Sequence, residues 1–246
     1  MMMNLFSIFD PLTSMNFSLN WMSIMLVLFF IPMNFWFIPS RWSKLLILIF
    51  KKLIFEFSLL MNLKVNKMNI LLFISLFLFI MLSNLLGMFP YIFTSTSHLI
   101  VSLSLSMFLW FSMMLYGWVL NLNHMFVHLV PQGTPFVLMF FMVLIETISN
   151  LIRPGTLAVR LSANMIAGHL LMSLISSSGM NLSILLLMVM ILVQSMLIIL
   201  ELSVSFIQAY VFSILSSLYS IEMNYEKNIS TFSFSYFKTL TYFNIF

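Results

Sequence analysis

Two stretches of the chain place ionisable and amide side chains at helical spacing among apolar residues. On a helix, one face of the first stretch carries Glu146, Asn150, Arg153, Arg160 and Asn164. His169 lies nine positions after Arg160, so it points to another side of the same helix. One face of the second stretch carries Gln194, Glu201, Ser205 and Gln208. Two polar faces in an apolar chain indicate either an ion route or a polar contact between helices.

The residue types in these faces divide into proton carriers and a fixed charge. Glutamate and histidine exchange protons near neutral pH when their surroundings shift the pKa, and the candidates are Glu146, His169, Glu201 and Glu222. A guanidinium stays protonated, so Arg160 is predicted to attract a carboxylate and to repel hydrated cations. This chain has no carboxylate close to Arg160 in sequence, which leaves room for a carboxylate on a partner.

Several of these residues also have structural interpretations. Ionisable residues within membrane spans usually mark ion or proton routes, but facing polar stripes can also join two helices. We interpret Arg153 as a structural residue that snorkels or pairs with Glu146. His98 is a weaker candidate for the mouth of a route. His124 and His128 have metal-ligand spacing but no third ligand, so we expect no metal site.

The composition is that of a membrane protein. Charged residues make up 7% of the chain, against roughly 25% in soluble domains. Residues 11–40 and 68–145 carry no charge, and each run exceeds the ~20 residues needed to cross a bilayer. The net charge of +4 indicates no nucleic-acid partner, because most basic residues lie within 41–67. The absence of cysteine excludes disulfides and thiolate chemistry.

We therefore predict an all-α polytopic membrane protein, with about five membrane-embedded helices and one surface amphipathic helix in a single domain, 1–246. Its predicted parts are a first transmembrane helix in 1–40 (about 15–38), an amphipathic helix at 41–67, two transmembrane helices and a loop in 68–133, a long helical hairpin at 134–222 that bends at Pro154-Gly155, and a tail at 223–246 without a confident element. The last hydrophobic segment would reach roughly 65 Å as a helix, about twice the ~30 Å hydrocarbon thickness. The hairpin helices are therefore expected to be tilted and antiparallel.

The basic residues predict the orientation in the membrane. Lys and Arg favour the cytoplasmic or matrix face, so the 41–67 segment places the N-terminus on the opposite side. Five crossings would then return the C-terminus to the basic side. The start of the chain has Asp10 and no basic residue before Arg41, so no targeting segment is expected.

Four stretches carry a resemblance to a known family, over about residues 4 to 222. They are "LLGMFPYIFTSTSHL", "MLYGWVLNLNHMFVHLVPQGTP", "FMVLIETISNLIRPGTLAVRLSANMIAGHLLMSLI" and "ELSVSFIQAYVFSILSSLYS". This pattern resembles subunit a of the F-type ATP synthases in its mitochondrial, arthropod-like form, and the block "LAVRLSANMIAGH" is highly specific. The tail 223–246 extends past the end of close relatives.

The resemblance implies roles for individual residues. Arg160 matches the family's essential arginine, which pairs transiently with a carboxylate of the rotating c-ring and blocks direct proton leak. His169 and Glu201 match the intermembrane-space half-channel, and Glu146 and Glu222 match the matrix half-channel. The supporting polar positions beside the arginine are matched by Asn164 and Gln208.

The resemblance also implies a proton-translocating stator subunit of the F0 sector, which couples proton flow to ring rotation and ATP synthesis and is not catalytic by itself. Its implied partners are the c-ring, peripheral-stalk subunit b, other small F0 subunits, the bilayer and the transported protons, without a cofactor. The implied location is the mitochondrial inner membrane, with the N-terminus in the intermembrane space and the C-terminus in the matrix. The alternatives are a secondary transporter, which would favour internal repeats that we do not find, and a structural subunit of a respiratory complex.

Overall fold

A computed structural model describes residues 5–13, 17–31, 38–61, 63–89, 91–120, 122–130, 136–179 and 183–243. This part of the chain is built of helices. Its α-helices are α1 (Ser23–Phe29), α2 (Arg41–Leu60), α3 (Leu63–Gly87), α4 (Leu99–Leu120), α5 (Leu122–Leu129), α6 (Phe136–Ser178) and α7 (Ile184–Phe243). Short 3₁₀ turns are found at Leu5–Phe9, Leu19–Met22 and Ser95–Ser97. The predicted all-α class is confirmed.

Four of these helices are long and apolar enough to cross a bilayer. The spans are Asn69–Gly87, Leu99–Val119, Leu138–Ser178 and Ile184–Ile221. They agree with four of the five predicted crossings, so the polytopic architecture is confirmed. Inside the predicted loop before α6, the structure has the additional short helix α5.

The predicted first transmembrane helix differs from the structure. The described helical part, Leu19–Phe29, falls in the length class of 10–17 residues, below the ~20 residues that a crossing needs. Pro32 in the sequence provides a physical reason, because proline disfavours helical conformation in the preceding residue. Residues 32–37, which the predicted span included, lie outside the described residues.

The amphipathic helix α2 is capped at its start and asymmetric around its axis. The backbone N–H of Ser43 donates to Ser40 Oγ at 3.3 Å, which satisfies one of the free N–H groups of the first turn. Leu53 and Phe57 are buried on one side, whereas Lys51 and Lys52 are exposed. This arrangement supports the predicted surface helix.

The helix α2 ends earlier than its predicted boundary of residue 67. Met61 takes an extended conformation with φ −107 and ψ 136, which terminates the helix after Leu60. The next helix begins at Leu63, so residues 63–67 form the first turn of α3. Lys64 and Lys67 therefore belong in sequence to the start of a membrane-crossing helix.

The two long helices form an antiparallel pair. Later residues of α6 meet earlier residues of α7, as seen in the pairs Arg153 with Tyr219, Asn164 with Gln208, and Gly168 with Glu201. The predicted antiparallel hairpin is therefore confirmed. Both apolar spans would exceed ~55 Å if they were straight, so neither fits upright into a ~30 Å hydrocarbon layer.

The structure adds two details to the predicted hairpin. Pro154 lies inside α6 without interrupting the helix, because one missing N–H removes a single hydrogen bond while the turns on either side remain paired. The helix α7 continues past residue 222 to Phe243, into the tail for which the sequence analysis names no confident element. The sequence after Ile184 contains neither glycine nor proline, so nothing in its residue types stops the helix.

A buried apolar cluster fixes the crossing of α6 and α7. Leu157 and Leu161 of α6 pack in one cluster with Ala209 and Phe212 of α7. Ala209 is 0% exposed, and such a small residue allows close approach of two helices in a membrane protein. The cluster continues into α2, α3 and α4. This packing sets the height at which the polar residues of the two long helices meet.

Candidate functional site

Arg160 is exposed on α6 although residues close to it on the helix are buried. Ala158 and Leu161, its neighbours on the helix, are buried, whereas the Arg160 side chain is exposed. Among the side chains that the structure describes, no carboxylate lies within 4.0 Å of its guanidinium. Arg160 thus presents a positive charge at the surface of a membrane-spanning helix, and the described side chains place no carboxylate against it.

Asn164 and Gln208 join the two polar faces one turn from Arg160. Asn164 Nδ2 donates to Gln208 Oε1 at 3.1 Å, across 44 residues of sequence. Gln208 and its neighbour on the same face, Ser205, are buried. Helical spacing placed each of these amides on the polar face of its helix, and the structure brings the two side chains together. The bond holds the arginine-bearing turn of α6 against α7.

Glu201 lies against α6 beside His169. A Cβ atom added at Gly168 would overlap Glu201 Oε1 and would lie 2.8 Å from the Glu201 Cδ, so the carboxyl group occupies the space that a side chain would need. Within the described part of the chain, neither Glu201 Oε1 nor His169 Nε2 has a hydrogen-bond partner, and both atoms are buried. Glu201 thus meets α6 at the residue that directly precedes His169, the second proton-capable group.

A cavity of about 690 Å³ opens next to His169. Its wall is formed by the N-terminal turns, the segment after α3, and parts of α6 and α7. The polar residues of its lining include Asp10, Asn20, His169, Ser173, Ser176 and Gln194. This volume would hold many water molecules, since one water takes about 30 Å³ of liquid volume. Water or hydronium in the cavity would therefore lie next to the His169 side chain.

A second polar group lies near the start of α6. Arg153 Nη2 is 4.0 Å from Glu146 Oε1, and both side chains are about one-third exposed. The guanidinium of Arg153 also lies 5.3 Å from the centre of the Tyr219 ring on α7. The predicted pairing of Arg153 with Glu146 is therefore present. Glu222 follows on the same helix as Tyr219, and its side chain lies outside the described residues.

The remaining histidines do not join this site in the described structure. His98 packs against the Trp21 and Phe93 rings, each with centroids 5.2 Å away, and it is not among the residues that line the cavity. The side chains of His124 and His128 lie outside the described residues. In the described ranges, no three His, Cys, Asp or Glu residues come together as metal ligands.

Two contacts were not visible in the residue spacing. The Tyr210 hydroxyl donates to Glu56 Oε2 at 3.3 Å, linking α7 to the amphipathic helix α2 over 154 positions. The other contact is that of Gly168 with Glu201, because residue spacing does not show which side chain of α7 faces the glycine. The sequence offered one usable signal for the glycine, namely that it directly precedes His169 in a helix where glycine is otherwise unfavourable.

Comparison with known proteins identifies the family of this chain. The family model described as "ATP synthase A chain" matches residues 3–220. Proteins named "ATP synthase subunit a" are 53% identical in Drosophila melanogaster, 54% in Aedes aegypti and 55% in Anopheles gambiae, each over 91% of this chain and the full length of the relative. The range matched by the family model includes Arg160, His169 and Glu201. The chain belongs to the family of ATP synthase subunit a.

Proposed function

We propose that this chain translocates protons as the stator subunit of the F0 sector of an ATP synthase, through two half-channels that Arg160 separates. The observation that carries this proposal is the exposed guanidinium of Arg160, which has no carboxylate from the described part of this chain within 4.0 Å. Proton-capable groups lie on both sides of it along α6. His169 lies towards one end of the helix, and Glu146 lies towards the other.

The entry half-channel consists of the cavity and the groups at its inner end. Water in the cavity delivers a proton to His169, and Glu201 beside Gly168 accepts it next. From there the proton neutralises a carboxylate of the partner c-ring, which can then turn into the lipid. A neutral carboxyl group enters hydrocarbon far more readily than a charged one.

The exit half-channel is assigned to the basic side of the membrane. Glu146, held near Arg153, accepts the proton after nearly a full turn of the ring, and Glu222 continues the route. The ring carboxylate is then ionised and pairs with Arg160, whose fixed charge prevents a proton from passing directly between the routes. Asn164 and Gln208 keep the arginine at this position. One charge that crosses the field gains about 2.3 kcal/mol per 100 mV, which biases the rotation.

The family sets the wider context of this proposal. The chain is a multi-pass membrane component of the rotary ATP synthase, and we assign ATP chemistry to other subunits. Its partners are the c-ring, peripheral-stalk subunit b and other small F0 subunits in the mitochondrial inner membrane. We place the N-terminus in the intermembrane space and the C-terminus in the matrix, in accordance with the basic residues of α2. Neither alternative, a secondary transporter or a structural subunit, explains an arginine poised for a partner's carboxylate.

Cysteine cross-linking tests whether the Arg160 face contacts the ring. The chain has no native cysteine, so single substitutions report one position each. Ala163 is exposed on the Arg160 side, whereas its neighbour Ser162 is 3% exposed. In the assembled complex, Ala163→Cys should cross-link to a cysteine placed beside the ring carboxylate, and Ser162→Cys should not. An active complex in which Ser162→Cys links and Ala163→Cys does not would contradict the proposed face.

A further inference from the structure

The N-terminal turn is docked on the helix that carries His169. The Phe9 ring meets the His169 ring edge to face, with centroids 6.4 Å apart. The turn Leu5–Phe9 also contacts α6. The residue that follows this turn is Asp10, and it lines the same cavity as His169. The docking therefore places a carboxylate at the cavity wall.

Two hydrogen bonds hold Asp10 in position. Asp10 Oδ1 accepts from the backbone N–H of Leu12 at 3.1 Å. Asn20 Nδ2 donates to the backbone carbonyl of Asp10 at 3.1 Å, which ties the segment to the next turn of chain. The side chain remains exposed. The Asp10 backbone and one carboxylate oxygen are thus held by hydrogen bonds, while the side chain is accessible to water.

Asp10 supplies the carboxylate among the residues that line this cavity. Among the residues that line the cavity, the other titratable ones are His169 and Tyr91. Beyond the wall, Glu201 lies behind Gly168, and His98 lies in the neighbouring aromatic contact with Trp21. No lysine or arginine is among the lining residues. A carboxylate in such a cleft raises the local concentration of cations, protons included.

We propose that Asp10 is a proton-collecting residue at the mouth of the entry half-channel. It takes a proton from hydronium in the bulk water, and the resulting carboxylic acid releases that proton to water in the cavity. The water then passes the proton to the His169 ring, which lines the cavity, and Asp10 is back in its ionised form. No bond other than O–H and N–H is made or broken. This inference rests on the proposed proton translocation.

The test is the dependence of transport on the pH at the cavity side. The complete complex, in proteoliposomes, synthesises ATP at a fixed electrical potential while the pH on that side is varied from about 6 to about 9. At high pH, where protons are scarce, Asp10→Asn should synthesise ATP about 10-fold more slowly than the native complex, at the low end of the range for electrostatic steering. At low pH the two rates should converge.

Three further variants make the result specific. Asp10→Glu should restore the native pH profile, because it keeps the carboxylate. Ser7→Ala changes an uncharged neighbour in the same cavity lining and should leave the profile native. Asp10→Ser keeps an acceptor for the Leu12 N–H but removes the charge. It should show the same pH profile as Asp10→Asn, and it replaces that variant in the test if Asp10→Asn assembles poorly.

The outcomes separate this inference from the proposed function. A uniform loss at every pH in Asp10→Ser, without a change of profile, would make Asp10 a purely structural residue and overturn the inference. Native profiles for both neutral variants would overturn it as well. If His169→Ala abolishes synthesis while the Asp10 variants behave as native, the proposed function stands and only the role of Asp10 fails. Full synthesis in His169→Ala would instead count against the proposed function.

Discussion

Gly168→Ala changes the contact between α6 and the carboxyl group of Glu201 by a single methyl group. The new Cβ would overlap Glu201 Oε1, and it would lie 2.8 Å from Cδ and 3.1 Å from Cγ. Carbon atoms in ordinary contact are about 3.5–4.0 Å apart, so the carboxyl group must move by roughly 0.7 Å or more. The Glu201 carboxyl group of the proposed proton step borders this position, and His169 is the next residue of the helix.

The size of the effect follows from the cost of overpacking. An extra methyl group in a well-packed contact typically costs about 1–3 kcal/mol. If that free energy falls on the proton-transfer step, the rate decreases roughly 5- to 150-fold, since about 1.4 kcal/mol corresponds to a factor of ten. We therefore expect Gly168→Ala complexes to assemble and to pump protons slowly.

The assay is ATP-driven proton pumping by assembled complexes, normalised to the amount of complex. Gly155→Ala is a matched control on the same helix, because a Cβ at Gly155 meets no atom within 4 Å. This control should pump at the native rate. Adding Glu201→Asp to Gly168→Ala shortens the acidic side chain by one methylene and should recover part of the lost rate. Native pumping by Gly168→Ala, or an equal loss in Gly155→Ala, would refute the steric reasoning.

Three further predictions concern contacts of the hairpin. Each is tested by two measurements, the thermal stability of the purified complex and its proton pumping. Replacing Asn164 and Gln208 by alanine, singly and together, should give a coupling energy of about 0.6–1.5 kcal/mol in a double-mutant cycle, and additive effects would argue against their hydrogen bond. Arg153→Gln should lower stability by at most ~1 kcal/mol and leave pumping intact, because the ion pair is partly exposed, so abolished pumping would contradict its structural role. Tyr210→Phe should lower stability by about 0.5–1 kcal/mol through the lost bond to Glu56, and Glu56→Gln should cause a similar loss.

Helical periodicity explains why much of the hairpin was predictable. A fixed rotation per residue places Arg160 and Asn164 on one face, and the same rule applies to Gln208 on α7. Once two such faces lie in an apolar chain, each polar group needs a partner, and the partners are available on the other helix. The Asn164–Gln208 bond is a direct consequence of this constraint.

Other parts of the structure depend on contacts that spacing does not encode. The bond from Tyr210 to Glu56 requires α2 to lie beside α7, which is decided by apolar packing around Phe57. The end of α2 depends on one extended residue, Met61. Asp10 reaches the cavity only because its turn docks on α6 beside His169. Tertiary packing determines each of these positions, and no local pattern in the sequence specifies them.

The most direct measurement of the central claim is proton movement through membranes that contain the assembled complex with Arg160→Ala. Loss of the fixed charge should abolish ATP-driven pumping and should open a passive proton leak between the two half-channels, with native levels of complex as the control for assembly. Arg160→Lys keeps a positive charge but not the planar fork of the guanidinium, and it should leak less than the alanine variant. Coupled pumping in Arg160→Ala, without a leak, would contradict the account.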